Sequence, residues 1–298
     1  MPVLLSILTS SALPHPASCE ELPLMSSTGS LPPEVSPWIE RLARLGYAAK
    51  ALLYCTIGLL AAKAAFGSSG KVTDTQGALR TVERQSFGDA FLILIAIGLF
   101  GYAAWRLVEA VFDPERRGTN LKGLAVRAGL AARGLIHGAL GVTALRLVSG
   151  HGGGRSGNQA KEWTSRGLQL PGGELLVAAA GLAIGGYGLY QLYRAWSAKL
   201  GRQLQLSQVS EPLRSWVVGV SRFGIAARGV VFCLIGFFLA RSGLRHDPAQ
   251  AGGLRESLHT IAGVGRWPFA AVSIGLVAYG VYQLINARYR HMTVAVSS

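Results

Sequence analysis

The sequence predicts an all-α, polytopic membrane protein: six transmembrane helices in three tandem helical hairpins with pseudo-threefold symmetry. Three observations predict it. Half of the 298 residues are hydrophobic and only 15% are charged, whereas soluble domains carry roughly 25% charged residues. Six apolar segments can be drawn, near 42–66, 89–111, 126–149, 174–196, 215–241 and 267–287, each long enough to cross a hydrocarbon core of about 30 Å. And one segment occurs three times, as Arg44-Leu-Gly-Tyr-Ala-Ala-Lys50, Arg127-Ala-Gly-Leu-Ala-Ala-Arg133 and Arg222-Phe-Gly-Ile-Ala-Ala-Arg228. Successive copies lie 83 and 95 residues apart, and such self-similarity governs the architecture before any single motif does.

Residues 1–37 are rich in Ser and Pro and read as a disordered tail. A secretory signal would open with Lys or Arg, and the first cation is Arg41. Pro16-Ala17-Ser18 is a poor lipoprotein motif ahead of Cys19, and Met25 is an alternative start, since the repeats need nothing upstream of it.

The first helix of each unit runs from the repeated segment through a ring (Tyr54, His137, Phe232) and a glycine (Gly58, Gly141, Gly236) to a third cation (Lys63, Arg146, Arg241). The second helix carries Tyr102-Ala-Ala-Trp105-Arg106, Tyr187-Gly-Leu-Tyr190-Gln191 or Tyr279-Gly-Val-Tyr282-Gln283, with Gly88, Gly173 or Gly265 fourteen residues before the leading tyrosine. The units span 38–115, 122–200 and 214–290, followed by a tail at 291–298. A soluble helical solenoid would need polar helix faces, and Ala90–Trp105 and Leu175–Tyr193 have none. Within each unit a loop of about 20 residues, long for a helix hairpin, leaves room for a short amphipathic helix. Gln76-Gly-Ala-Leu79 and Ala251-Gly-Gly-Leu254 look like corresponding starts.

Six spans put both termini on one side. The basic residues of that side, Arg41, Arg44, Arg116, Arg117, Lys122, Lys199, Arg202, Arg214, Arg288 and Arg290, are packed into shorter segments than those of the other. The positive-inside rule therefore points to cytoplasmic termini. The net charge of +14 sits at helix ends and in short loops, a placement suited to anionic lipid headgroups, and no nucleic-acid motif accompanies it. Cys55 and Cys233 fall inside spans, so the three cysteines form no disulfide framework.

Lys50, Arg133 and Arg228 invite two readings. A threefold repeat could turn them toward one axis as a ring for an anion. Alternatively they are interfacial anchors. Twelve residues separate each from its third cation, about 18 Å of helix, and snorkelling stems of about 5–6 Å at each end nearly complete the hydrocarbon thickness. That arithmetic favours anchors. Gly58, Gly141 and Gly236 lie on the same face and suit close helix packing, as do Gly134-Leu-Ile-His-Gly138 and Gly181-Leu-Ala-Ile-Gly185. In the second helices Glu109, Arg194 and Asn286 are equivalent. Glu109 could pair with Arg194, or locally with Arg106 at i,i+3. His137 reads as a packed aromatic-like position, its siblings being Tyr and Phe, more than as a proton relay.

Motifs for chemistry fail. Gly67-Ser-Ser-Gly70-Lys71 lacks the first glycine and the Ser/Thr of a phosphate loop, and His151-Gly-Gly-Gly154 has no GxSxG to serve. No catalytic, cofactor-binding or metal-ligating residue is predicted, and the chain is not expected to be an enzyme. Gly46-Tyr-Ala-Ala-Lys50 with Tyr54 and Gly58, Phe87-Gly88, and Gly98-Leu with Tyr102, Trp105 and Arg106 resemble the domain-of-unknown-function family 1206, bacterial membrane proteins of repeated two-helix units. Arg133-Gly134 and Arg228-Gly229 fit its Arg-Gly better than Lys50-Ala51 does. The resemblance covers roughly 38–290 and implies a six-helix membrane protein, with no activity to carry over. The expected function is a non-enzymatic membrane scaffold or assembly protein with membrane-protein partners or a homo-oligomeric state; the alternative is a small-anion transporter or channel.

Overall fold

The computed structural model describes residues 37–67, 70–113, 118–151, 159–197 and 211–289. The proposed tail with Cys19 and Met25, and the C-terminal tail, lie outside them. Six helices are long and apolar enough to span a membrane: α1 (Pro37–Ala65), α3 (Gly88–Phe112), α4 (Leu121–Val148), α6 (Gly173–Trp196), α7 (Glu211–Leu244) and α9 (Arg266–Tyr289). Their best windows have mean hydropathy between 1.3 and 2.1. Several ends extend beyond the apolar segments, because helical hydrogen bonding continues past the hydrocarbon boundary until a cap stops it. At the start of α4, for example, the Asn120 side chain accepts from the Gly123 N–H.

Each long intra-unit loop holds a short helix: α2 (Thr75–Glu83), α5 (Gln159–Leu168) and α8 (Leu254–Val264). Asp74 caps α2 by accepting from the Gly77 N–H, and Glu256 reaches back to the Gly253 N–H at the start of α8. The expected starts do not correspond. Leu79 and Leu258 are the fully buried anchors of α2 and α8, so Gln76 matches Arg255, and Ala251–Gly253 is a lead-in to the helix.

The glycine fourteen residues before each leading tyrosine has a physical reason in two units. The chain turns through a left-handed residue, Phe87 (φ 64°) or Gly172 (φ 70°), and the next helix starts hard against the end of the short one. A Cβ at Gly88 or Gly173 would collide with the carbonyl of Glu83 or of Gly167.

The six spans form a cycle. Close seams join α1 to α3 and α7 to α9 within their own units. Between units, α3 packs on α4, α6 on α7, and α9 returns to α1. Each unit thus offers its first helix to the second helix of the preceding unit, and the third unit closes on the first. The packing glycines follow this rule. A Cβ at Gly58 would lie 2.7 Å from the Ser273 carbonyl on α9, at Gly141 3.0 Å from the Phe100 ring on α3, and at Gly236 2.7 Å from the Gly181 carbonyl on α6.

One seam of the cycle is missing. No such contact joins α4 to α6. Gly46 and Gly98 press α1 onto α3, and Gly224 and Gly275 press α7 onto α9; the equivalent Gly129 has nothing within 4 Å. Ala132 and Ala183 are exposed, while Ala49, Ala227, Gly98 and Gly275 at the same register are buried. Only 22% of the α4 span and 28% of the α6 span are buried, against 56% for α3 and α9.

Candidate functional site

The three cations of each first helix have different fates. The outermost, Lys63, Arg146 and Arg241, are exposed, as anchors at a membrane boundary would be. In the second and third sets the first cation works at a neighbouring helix end. Arg127 donates from Nε to the Ala110 carbonyl (2.7 Å) and from Nη2 to that of Val111 (3.0 Å), and Arg222 donates to the Ser197 carbonyl (3.4 Å). These are carbonyls that a helix leaves without internal donors. Arg127 and Arg222 therefore fasten each unit to the C-terminal end of the unit before it, a role that the sequence pattern marked only as a repeated cation.

The middle cations turn inward. Lys50 is 6% exposed; its ammonium donates to the Tyr102 hydroxyl (3.2 Å) and stands 4.3 Å from that ring's centroid. The Arg133 guanidinium, half-buried, lies 4.8 Å from the Tyr187 ring. Arg228 packs over four rings, Phe232 at 4.4 Å, Tyr279 at 4.9 Å, and Tyr54 and Tyr187 each at 5.9 Å, and its Nε donates to the Tyr54 hydroxyl (3.1 Å). In each unit the middle cation thus meets the leading tyrosine of the second helix, 52, 54 or 51 residues further on.

The residues one turn below complete the circuit. His137 packs on Tyr102 with centroids 4.7 Å apart, Phe232 on Tyr187 at 5.5 Å, and Tyr54 on Tyr279 at 4.7 Å. Each ring reaches the tyrosine of the preceding unit. His137 therefore packs as an aromatic, with Nδ1 held 2.7 Å from the Arg133 carbonyl. Three cations, three leading tyrosines and three partner rings interlock around one centre.

That centre carries excess positive charge. Arg106 is paired with Glu109 in a buried i,i+3 ion pair and also donates to the Tyr47 hydroxyl (3.0 Å). Arg194 reaches the Tyr282 hydroxyl on α9 (3.2 Å), and Asn286 donates to the carbonyl one turn back at Tyr282 (2.8 Å). Glu109 serves its own helix, and the Glu109–Arg194 alternative is not the arrangement found. Among the described residues no carboxylate forms an ion pair with Lys50, Arg133 or Arg228. An ammonium offers three donors and a guanidinium five, of which Lys50 uses one on Tyr102 and Arg228 one on Tyr54. Cation–π contacts worth about 0.5–2 kcal/mol each offset part of the desolvation cost, but leave the charge in place.

Fold and site together define a multi-pass membrane protein built from three helix-pair repeats around a cationic, tyrosine-lined centre. The chain belongs to the family described as Domain of Unknown Function (DUF1206), whose model matches residues 45–113, 128–198 and 223–290. It is similar to the uncharacterized protein YxxB of Bacillus subtilis (strain 168), with 30% identity over 262 residues covering 87% of this chain and 94% of that one. No solved structure matches.

Proposed function

We propose that the protein binds a small anionic group at the centre of the helix cycle and moves it across, or within, the membrane. The carrying observation is the convergence of Lys50, Arg133 and Arg228 on interlocked tyrosines with no carboxylate ion-paired to them among the described residues. Charge inside a membrane is costly, and where it is retained it marks substrate or ion pathways. An anion would use the remaining N–H donors and offset the repulsion among the three cations. Internal repeats around a central site are a recurrent plan of transporters.

A scaffold role has less support. The repeated glycines that would hold partner helices are used within the chain, Gly58 by α9, Gly141 by α3 and Gly236 by α6. No chemistry is assigned, and the reading is non-enzymatic. The packing of the basic residues on the side of both termini into shorter segments supports cytoplasmic ends in an inner membrane. A reporter fused after Ser298 that works only outside the cytoplasm would reverse this orientation.

Reconstituted liposomes provide the functional test. Anion flux above that of empty vesicles, lost in the Lys50→Met, Arg133→Gln, Arg228→Gln protein while its helix content and monodispersity are kept, is the expected result. Equal flux in that variant would refute the central site.

A further inference from the structure

Among the described residues α4 and α6 are the one pair of adjacent spans in the cycle without a close seam, so the cycle is open on that side. Arg133 stands in that opening on α4 and reaches Tyr187 on α6. Tyr187 in turn lies against Arg228. The walls of the opening, Gly129, Ala132 and Ala183, are small and apolar, and nothing lies within 4 Å of where a Gly129 side chain would begin. The two helices flanking it are the least buried of the six and are apolar enough to span a membrane, so the opening lies between lipid-facing helices.

We propose that this opening is a binding site for a single-chain amphiphilic anion, an alkyl chain ending in a phosphate or carboxylate. The proposal rests on the anion site described above and names the class of its ligand. The acid group docks on Arg133 within reach of the Lys50–Tyr102 and Arg228–Tyr187 contacts, and the chain lies between α4 and α6. Two physical points favour a chain-bearing anion. Arg133 is six residues beyond Arg127, which caps the end of α3, and so about 9 Å deeper along the helix. A bare anion approaching sideways at that depth would have to cross hydrocarbon without its hydration shell, whereas an anion tethered to an alkyl chain is already held in the leaflet. The small-residue walls also match the chemistry: their siblings accept a helix backbone in close contact, and here they leave width for a methylene chain instead.

The test uses purified full-length protein in neutral detergent, with dodecyl phosphate and inorganic phosphate as the two probes, each titrated by thermal shift and native mass spectrometry. Wild type is expected to bind dodecyl phosphate at least about tenfold more tightly than inorganic phosphate, a difference of about 1.4 kcal/mol. The Ala132→Leu, Ala183→Leu variant fills the opening without touching a cation. Both positions are exposed, so the longer side chains need no repacking. It is expected to lose the tenfold preference and keep inorganic phosphate binding. Equal binding of the two probes by wild type, or unchanged dodecyl phosphate binding in the filled variant, overturns the amphiphile site and leaves the anion site standing. Binding of neither probe overturns both. A second variant, Ala132→Cys, Ala183→Cys with the native cysteines replaced by serine, reports the opening directly. Spontaneous and complete disulfide formation in liposomes would mean that α4 and α6 close on each other and leave no site.

Discussion

The same substitution made at three equivalent glycines separates the closed seams from the open one. Alanine at Gly46 places a Cβ 2.6 Å from the Gly98 carbonyl and 2.6 Å from Cβ of Tyr102; at Gly224 it meets the Tyr279 Cα at 2.6 Å. These obstacles are mostly backbone, so relief requires the helices to part. Overpacking of this kind costs about 1–3 kcal/mol, and the better helix propensity of alanine, about 1 kcal/mol, returns only part of it. At Gly129 the Cβ meets nothing within 4 Å, and the propensity gain stands alone. Gly46→Ala and Gly224→Ala are therefore expected to destabilise by up to about 2 kcal/mol net, and Gly129→Ala to stabilise by up to about 1 kcal/mol. Reversible unfolding in mixed micelles, followed by far-UV circular dichroism, measures all three. Destabilisation of the Gly129 variant matching that of its siblings would refute the open α4–α6 side, because it would place a helix backbone against that glycine.

Other outcomes follow from single contacts. Arg127→Ala removes two charge-assisted hydrogen bonds to the last carbonyls of α3 and should cost about 1–3 kcal/mol in the same assay. Phe87→Gly, which relieves a left-handed φ of 64° at an exposed residue, should stabilise by about 0.5–1 kcal/mol. In the loop before α8, the Asp247 carboxyl is held below the usual carboxylate range by hydrogen bonds from the Gln250 side chain and the Ala249 N–H. A lowered folded value means that the turn's added order is complete above about pH 4 and is lost as pH falls through the folded value. Amide exchange at Ala249 should accelerate over that acid range beyond the intrinsic pH effect, and the Asp247→Asn protein should lack the excess.

Hydropathy placed all six spans because burial in lipid leaves a simple record, a long apolar run with few charges. The repeats placed the units because a packing face that recurs must recur in sequence. The short helices α2, α5 and α8 follow from loop length, but the match of α2 with α8 does not: the glycines of Ala251-Gly-Gly-Leu254 resemble a helix start, while the buried leucine that sets the register comes four residues later. The site was half legible. Lys50, Arg133 and Arg228 stood out as membrane-embedded cations, and the leading tyrosines stood out as a signature. Nothing local joined them, since each pair meets only through helix rotation across more than fifty residues of chain. The anchor arithmetic was sound for the spacing and silent about direction; Lys63, Arg146 and Arg241 face outward, while Lys50 is buried. The missing seam was the least legible feature. Gly129 and Ala132 have the sizes that pack tightly in the other two units, and the separation of α4 from α6 is a property of the whole cycle.

The return of α9 to α1 has a consequence for how the polypeptide is strung. All three junctions between units use the same head-to-tail contact, so the contact made by the chain's first and last units is of the same kind as the two made by its consecutive ones. A cyclic contact of this type closes by rotation whether or not the subunits are covalently joined. The order of the units along the backbone is then a matter of wiring. A circular permutant opened between α3 and α4, with its old ends joined by a flexible linker, should rebuild the same membrane cycle, and one two-helix unit expressed alone carries both halves of the contact needed to assemble as a homotrimer.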